Sequence, residues 1–177
     1  MKPNRPPQPL EPAKLRDIAL HYVGRYATSR AKLAAYLNRK IRERGWRDDA
    51  PPPGIEDLVE DFGRRGYVDD AAFASSRARS LSQRGYGLRR VDDDLRASGI
   101  SETDAANARS ESQSEQWQSA DRFAKRKRIG PYAIEFASPE LRQKQFQAFL
   151  RAGHSFDIAK AFVHAAPGTE IEFPDAD

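Results

Sequence analysis

The chain has no cysteine in its 177 residues, which excludes disulfide staples and thiolate metal sites and fits a reducing compartment. Long apolar runs are missing too. None approaches the roughly 18 residues that a membrane-crossing helix needs, and the opening MKPNRPPQPLEP lacks the apolar centre of a secretory signal. The expectation is a cytoplasmic protein with no membrane partner. Apolar residues are scarce, at 38% against 32% charged. That ratio leaves too little material for one compact core and predicts an elongated monomer with several small ones. No alternating apolar–polar stretch of useful length occurs, which argues against strands.

Catalytic signatures are equally scarce. There is no GxxxxGK(S/T) loop to cradle a triphosphate and no GxSxG elbow to aim a nucleophile, and His21, His154 and His164 show no ligand spacing. Asp92, Asp93 and Asp94 are consecutive, so on a helix they point about 100° apart and cannot converge on one ion. Basic residues four positions away predict ion pairs instead: Arg89 with Asp93, Arg90 with Asp94 and Asp92 with Arg96. Neither an enzyme nor a cofactor nor a metal site is expected.

What the chain does have is punctuated helical periodicity. Prolines 3, 6, 7, 9 and 12 predict a disordered tail over 1–12, and the acidic PGTEIEFPDAD predicts another over 167–177. Between them the apolar period is near 3.6: Leu15, Ile18, Ala19, Tyr22, Val23 and Tyr26; Leu33, Leu37 and Ile41; Ile55, Leu58, Val59 and Phe62; Phe73, Ala74, Ala78 and Leu81; Leu88, Val91 and Leu95. A polar helix from about Glu102 precedes a last group: Trp117, Ala120, Phe123 and Ala124, then Leu141, Phe146, Phe149 and Leu150, then Phe156, Ala159, Phe162 and Val163. Gly66, Gly99 and Gly153 each end one helix just before a capping residue starts the next. Ser29, Gly87 and Ser138, the last followed by Pro139, open middle helices 58 and 51 residues apart. Together they predict an all-α fold of tandem three-helix repeats over 13–66, 67–114 and 115–166. In this grammar Asp69 or Asp70 caps the helix that follows, and Ser101 with Asp104 forms a weaker capping box.

GYVDDAAFA (66–74) followed by GLRRVDDDLRASGIS (87–101) resembles the two central signatures of the RecX family, regulators of the RecA recombinase. TSRAKLAAYL (28–37) and RQKQFQAFLRAGHS (142–155) are similar to the first and third repeats, in order and spacing. Two positions depart from the pattern: the first middle helix runs about a turn longer, to Gly45, and His154 stands where an aromatic is expected. The resemblance implies a curved array that binds RecA filaments on single-stranded DNA and suppresses ATP hydrolysis and strand exchange, with no catalysis of its own.

Net charge of +4 and a pI near 9.4 permit a polyanionic partner. Three basic sets are candidate contacts with the filament or its DNA. From Arg30 to Arg47 there are seven cations against Glu43 alone, and Lys32, Arg39 and Arg42 fall opposite Leu33, Leu37 and Ile41 on the helical wheel. Arg77, Arg79, Arg84, Arg89 and Arg90 flank a turn that carries Tyr86. RFAKRKR supplies Arg122, Lys125, Arg126 and Lys127. Tyr86 can stack on a base or anchor a partner, and Trp117 reads as core. The alternative is direct, largely sequence-independent DNA binding. Base-specific binding by a helix-turn-helix is opposed by the carboxylates that open the third helices, Glu56, Asp57, Glu102 and Asp104, which repel phosphates. A passive scaffold would leave every recombinase filament unaffected.

Overall fold

The computed structural model describes residues 8–174. Among these residues the fold is all-α, as the 3.6 period predicts. Its helices are α1 (Pro12–Val23), α2 (Arg30–Arg44), α3 (Ile55–Arg64), α4 (Asp70–Gln83), α5 (Leu88–Ala97), α6 (Glu102–Ser114), α7 (Gln116–Lys127), α8 (Pro139–Arg151) and α9 (Phe156–His164), with a short 3-10 turn at Gly130–Tyr132. They group into two compact units. The first holds residues up to 73 with 98–100, and the second holds 74–97 with 101 onward.

In the first unit the apolar stripes of α1, α2 and α3 meet around Leu15, Ala19, Leu33, Leu37, Val59 and Phe62. Leu10 joins them, fully buried, and corrects the tail expected over 1–12 in its described part, residues 8–12. Its backbone N–H donates to the Gly45 carbonyl and its carbonyl accepts from Arg47 N–H, each at 2.9 Å. Burying one leucine contributes about 2 kcal/mol, enough to hold a proline-rich segment that cannot form helix. Pro3, Pro6 and Pro7 lie outside the described residues.

In the second unit Phe149 packs between Phe123, edge-on at 4.7 Å, and Phe162, stacked at 5.6 Å. Ala120, Ala124, Ile158, Ala159 and Val163 close this core. Helices α5 and α6 pack against each other, and Ala74, Ala78, Val91, Leu95, Ala105 and Ala108 are buried along α4 to α6. The expected tail over 167–177 is also corrected in its described part. Ile171 packs on the core, Phe173 stacks on Trp117 at 6.1 Å, and Gly168 N–H donates to the Pro131 carbonyl. Asp175 and Asp177 lie outside the described residues.

Three residues of the expected stripes are exposed instead: Tyr26 at 55%, Leu141 at 47% and Phe156 at 60%. Tyr26 lies beyond the end of α1, which closes at Val23. Leu141 and Phe156 lie in the first turns of α8 and α9, and Phe156 gains only an edge contact with Phe146 at 5.0 Å.

The caps follow the sequence grammar with one exchange. Ser29, Ser101, Ser138 and Ser155 each accept from the backbone N–H three residues on. Asp69 caps α4 in the same way, accepting from Ala72 N–H at 2.9 Å. Asp70, only 8% exposed, turns to a different helix and accepts from Arg30 N–H at 2.9 Å, at the start of α2. A carboxylate there meets both an unpaired amide and the positive end of the helix dipole.

Candidate functional site

The first basic set lies in the first unit, on the side of α2 turned away from its buried Leu33 and Leu37. Lys32 and Arg39 are exposed, and Arg42, also at the surface, forms no ion pair among the described residues. Lys32 Nζ sits 5.0 Å from the centre of the Phe73 ring. Arg39 lies 3.6 Å from Glu43, whose carboxyl is held below its ordinary range chiefly by the hydrogen bond from Lys40 at 2.6 Å. Other cations of the same run have structural partners. Arg44 donates to the Gln8 carbonyl at 2.9 Å, and Arg47 pairs with Asp49 and Glu11, which ties down the segment around Leu10. The outward face of α2 is thus distinct from the anchoring cations at its end.

Two cations of the third basic set, Arg122 and Arg126, reach the turn that carries the second, within the second unit. The α4–α5 turn rests on α7: Ser119 Oγ donates to the Tyr86 carbonyl at 2.6 Å, Arg122 donates to the Ser82 carbonyl at 3.2 Å, and Arg126 donates to the Arg84 carbonyl. Gly85 makes the approach feasible. Its φ is +77°, and a β-carbon there would lie 2.9 Å from Phe123 N. Over the half-buried Tyr86 ring sit the guanidinium carbons of Arg84 at 5.4 Å and Arg90 at 6.0 Å. Arg84, Arg89, Lys125, Arg126 and Lys127 form no ion pair among the described residues, while Arg122 stands 3.9 Å from Glu115.

The aspartate run is disposed differently from the expected pairing along α5. Asp92 accepts from Arg109 of α6 at 2.6 Å, Asp94 takes two bonds from Arg77 of α4 at 2.7 and 2.8 Å, and Asp93 pairs with Arg96 at 3.4 Å. Asp92 and Asp94 are half-buried, so they pair across helices, where desolvation strengthens the contact, rather than along an exposed face. This neutralises Arg77 and Arg109, while Arg84 and Arg89 near Tyr86 form no ion pair among the described residues. No group of three or more His, Asp or Glu that could hold a metal occurs among the described residues.

His154 is 1% exposed and sits between the Phe123 and Phe149 rings at 5.5 and 5.3 Å. It therefore packs as the aromatic expected at that position would. Burial pushes its pKa down to about 4, and the ring stays neutral with Nε2 3.2 Å from the Gly85 carbonyl. His21 and His164 are exposed. Among the described residues no helix is long and apolar enough to cross a membrane.

A family profile described as "RecX, second three-helix domain" matches residues 69–108. Across a much longer span, the chain is 31% identical to "Regulatory protein RecX" of Myxococcus xanthus over 168 residues, 91% of this chain and 90% of that relative. The chain belongs to the RecX family. A second relative of the same name, from Thermobifida fusca, is 29% identical over 92% of this chain and 85% of its own length. The fold agrees with the crystal structure of RecX from Lactobacillus salivarius, with a TM-score of 0.59 at 20% identity over 84% of this chain and 91% of that one. A second RecX crystal structure gives 0.63, also at 20% identity, over 85% of this chain and 73% of that one. These RecX homologues are named regulatory proteins, and neither name describes an enzyme.

Proposed function

We propose that this chain regulates homologous recombination by binding RecA filaments on single-stranded DNA, where it slows ATP hydrolysis and strand exchange. The family match over 91% of the chain carries this reading. The two basic surfaces support it, because clustered surface cations attract an acidic or phosphate-bearing partner. The proposed contacts are Lys32, Arg39 and Arg42 on one unit and Arg84, Tyr86, Arg89, Arg90, Arg122, Lys125, Arg126 and Lys127 on the other. We also take the helices in threes, as the repeats 13–66, 67–114 and 115–166.

No active site is required. A protein that binds one inter-subunit geometry of a filament more tightly than others shifts the polymer toward it and slows any cycle that needs the subunits to move. Two covalently linked surfaces add avidity without a single strong contact. The test is co-sedimentation with RecA filaments against naked DNA at matched salt. Preferential pelleting with filaments is expected, and equal affinity for naked DNA would favour the direct DNA-binding alternative.

A further inference from the structure

We propose that the first unit carries a stacking site for an unpaired nucleic-acid base, at the open end of a ladder of three tyrosines, Tyr36, Tyr22 and Tyr26. The proposal rests on the reading above, in which the partner is a filament on single-stranded DNA, and adds that the DNA itself is touched. The Tyr22 and Tyr36 rings are stacked, with centroids 4.0 Å apart and planes inclined by 15°. Tyr26 continues the series at 5.2 Å and 45°. One end of the ladder is closed by cations, with Arg39 and Lys40 at 5.4 and 5.7 Å from the Tyr36 ring. The other end is open: Tyr26 is 55% exposed and lies outside the unit's core.

The charge around the ladder suits the same ligand. Residues 18–42 hold all three tyrosines and the cations Arg25, Arg30, Lys32, Arg39, Lys40 and Arg42, with no aspartate or glutamate. The carboxylates that flank this segment, Asp17 and Glu43, are paired with Lys14 and with Lys40 and Arg39. An exposed aromatic face on a cationic segment takes a base by its π-face and the adjoining phosphates by charge, and every base offers such a face. Nothing at Tyr26 reads a base edge, so the site is sequence-independent, as a protein acting along any filament requires. Packing of α1 on α2 accounts for Tyr22 and Tyr36 but not for an outward-facing third ring.

The test uses the full chain and no recombinase, so its outcome is separate from that of the filament reading. A labelled oligothymidylate of about 20 nucleotides and an abasic chain of equal length and charge are titrated by fluorescence anisotropy at low salt. The wild type is expected to prefer the oligothymidylate by about tenfold. Tyr26→Ala should remove that preference while leaving abasic binding and the melting temperature unchanged. Tyr26→Trp should keep the preference, with the added indole emission quenched by oligothymidylate alone. Equal wild-type affinity for the two probes would overturn the proposal, as would an unchanged preference in Y26A or equal weakening of both probes.

Discussion

At the start of α2 the helix is met by side chains. Asp70 accepts from Arg30 N–H, Ser29 Oγ accepts from Lys32 N–H, and the same hydroxyl donates to the Ser98 carbonyl at 2.6 Å. At the start of α5 the corresponding work falls to the backbone. Gly87 N–H donates to the Ala152 carbonyl at 2.9 Å and Arg89 N–H to the Gly153 carbonyl at 3.2 Å. Both arrangements join a helix start to a helix-ending glycine turn, at Gly99 in the first unit and at Gly153 in the second. A side-chain junction tolerates some backbone spacing because rotamers adjust. A backbone junction requires two main chains to touch, and glycine on both sides permits it. Failure of the first should be electrostatic and partial; failure of the second should be steric and severe.

The largest expected effect follows from that contrast. Gly153 has φ +93°, and a β-carbon there would lie 2.5 Å from Arg90 N, a backbone atom that cannot swing away. Gly153→Ala should cost about 3 to 4 kcal/mol in urea unfolding. At Gly99, φ +69°, the obstructing group is the Ala31 methyl. Ala31→Gly should therefore recover part of the loss in Gly99→Ala, whereas no side-chain change should rescue Gly153→Ala. Equal rescue at both would erase the distinction.

The second junction also contains His154, which gives it a pH dependence. Its pKa is depressed to about 4 in the folded chain, so the unfolded chain takes up the proton first. The contribution of the neutral ring is complete above about pH 6.5 and is lost as pH falls toward 4, reaching about 3 kcal/mol. Stability measured between about pH 6.5 and about pH 5, above most carboxylate titrations, should decline in the wild type and stay flat in His154→Phe. A parallel decline in both would assign the effect to other groups.

Smaller effects sharpen the side-chain junction. Asp70→Ala removes a nearly buried acceptor from the start of α2 and should cost about 2 kcal/mol, while Asp69→Ala removes an exposed cap and should cost about 1 kcal/mol. The reverse order in thermal unfolding would mean that Asp70 does not serve α2.

These two aspartates mark the limit of what is legible in the sequence. The helical periods, the serine caps and the role of Asp69 follow from local grammar, since a cap and the amides it serves lie within three residues. Asp70 serves a helix 40 residues away, and no spacing rule reaches that far. The same holds for Arg77 and Arg109, which take Asp94 and Asp92 across helices, and for Leu10, hidden among prolines that argue for a tail. Of the candidate site, the outward face of α2 is legible from the wheel. That Arg122 and Arg126 reach the α4–α5 turn is not, because it depends on how α7 supports Gly85. The tyrosine ladder hides in an ordinary apolar stripe, since Tyr26 keeps the helical spacing after the helix has ended.

The smallest effect on stability is expected where the effect on function is greatest. Replacing Lys32, Arg39 and Arg42 together by Glu should shift stability by under about 0.5 kcal/mol per site, since all three lie at the surface. The most direct test of the account is the rate of ATP hydrolysis by RecA on single-stranded DNA with wild type or with this triple variant present. Suppression by the wild type that weakens as salt rises, because ionic contacts are screened within about 10 Å at about 0.1 M, and that is lost in the folded variant is the predicted result. Full suppression by the variant at moderate salt would contradict the role assigned to the α2 face.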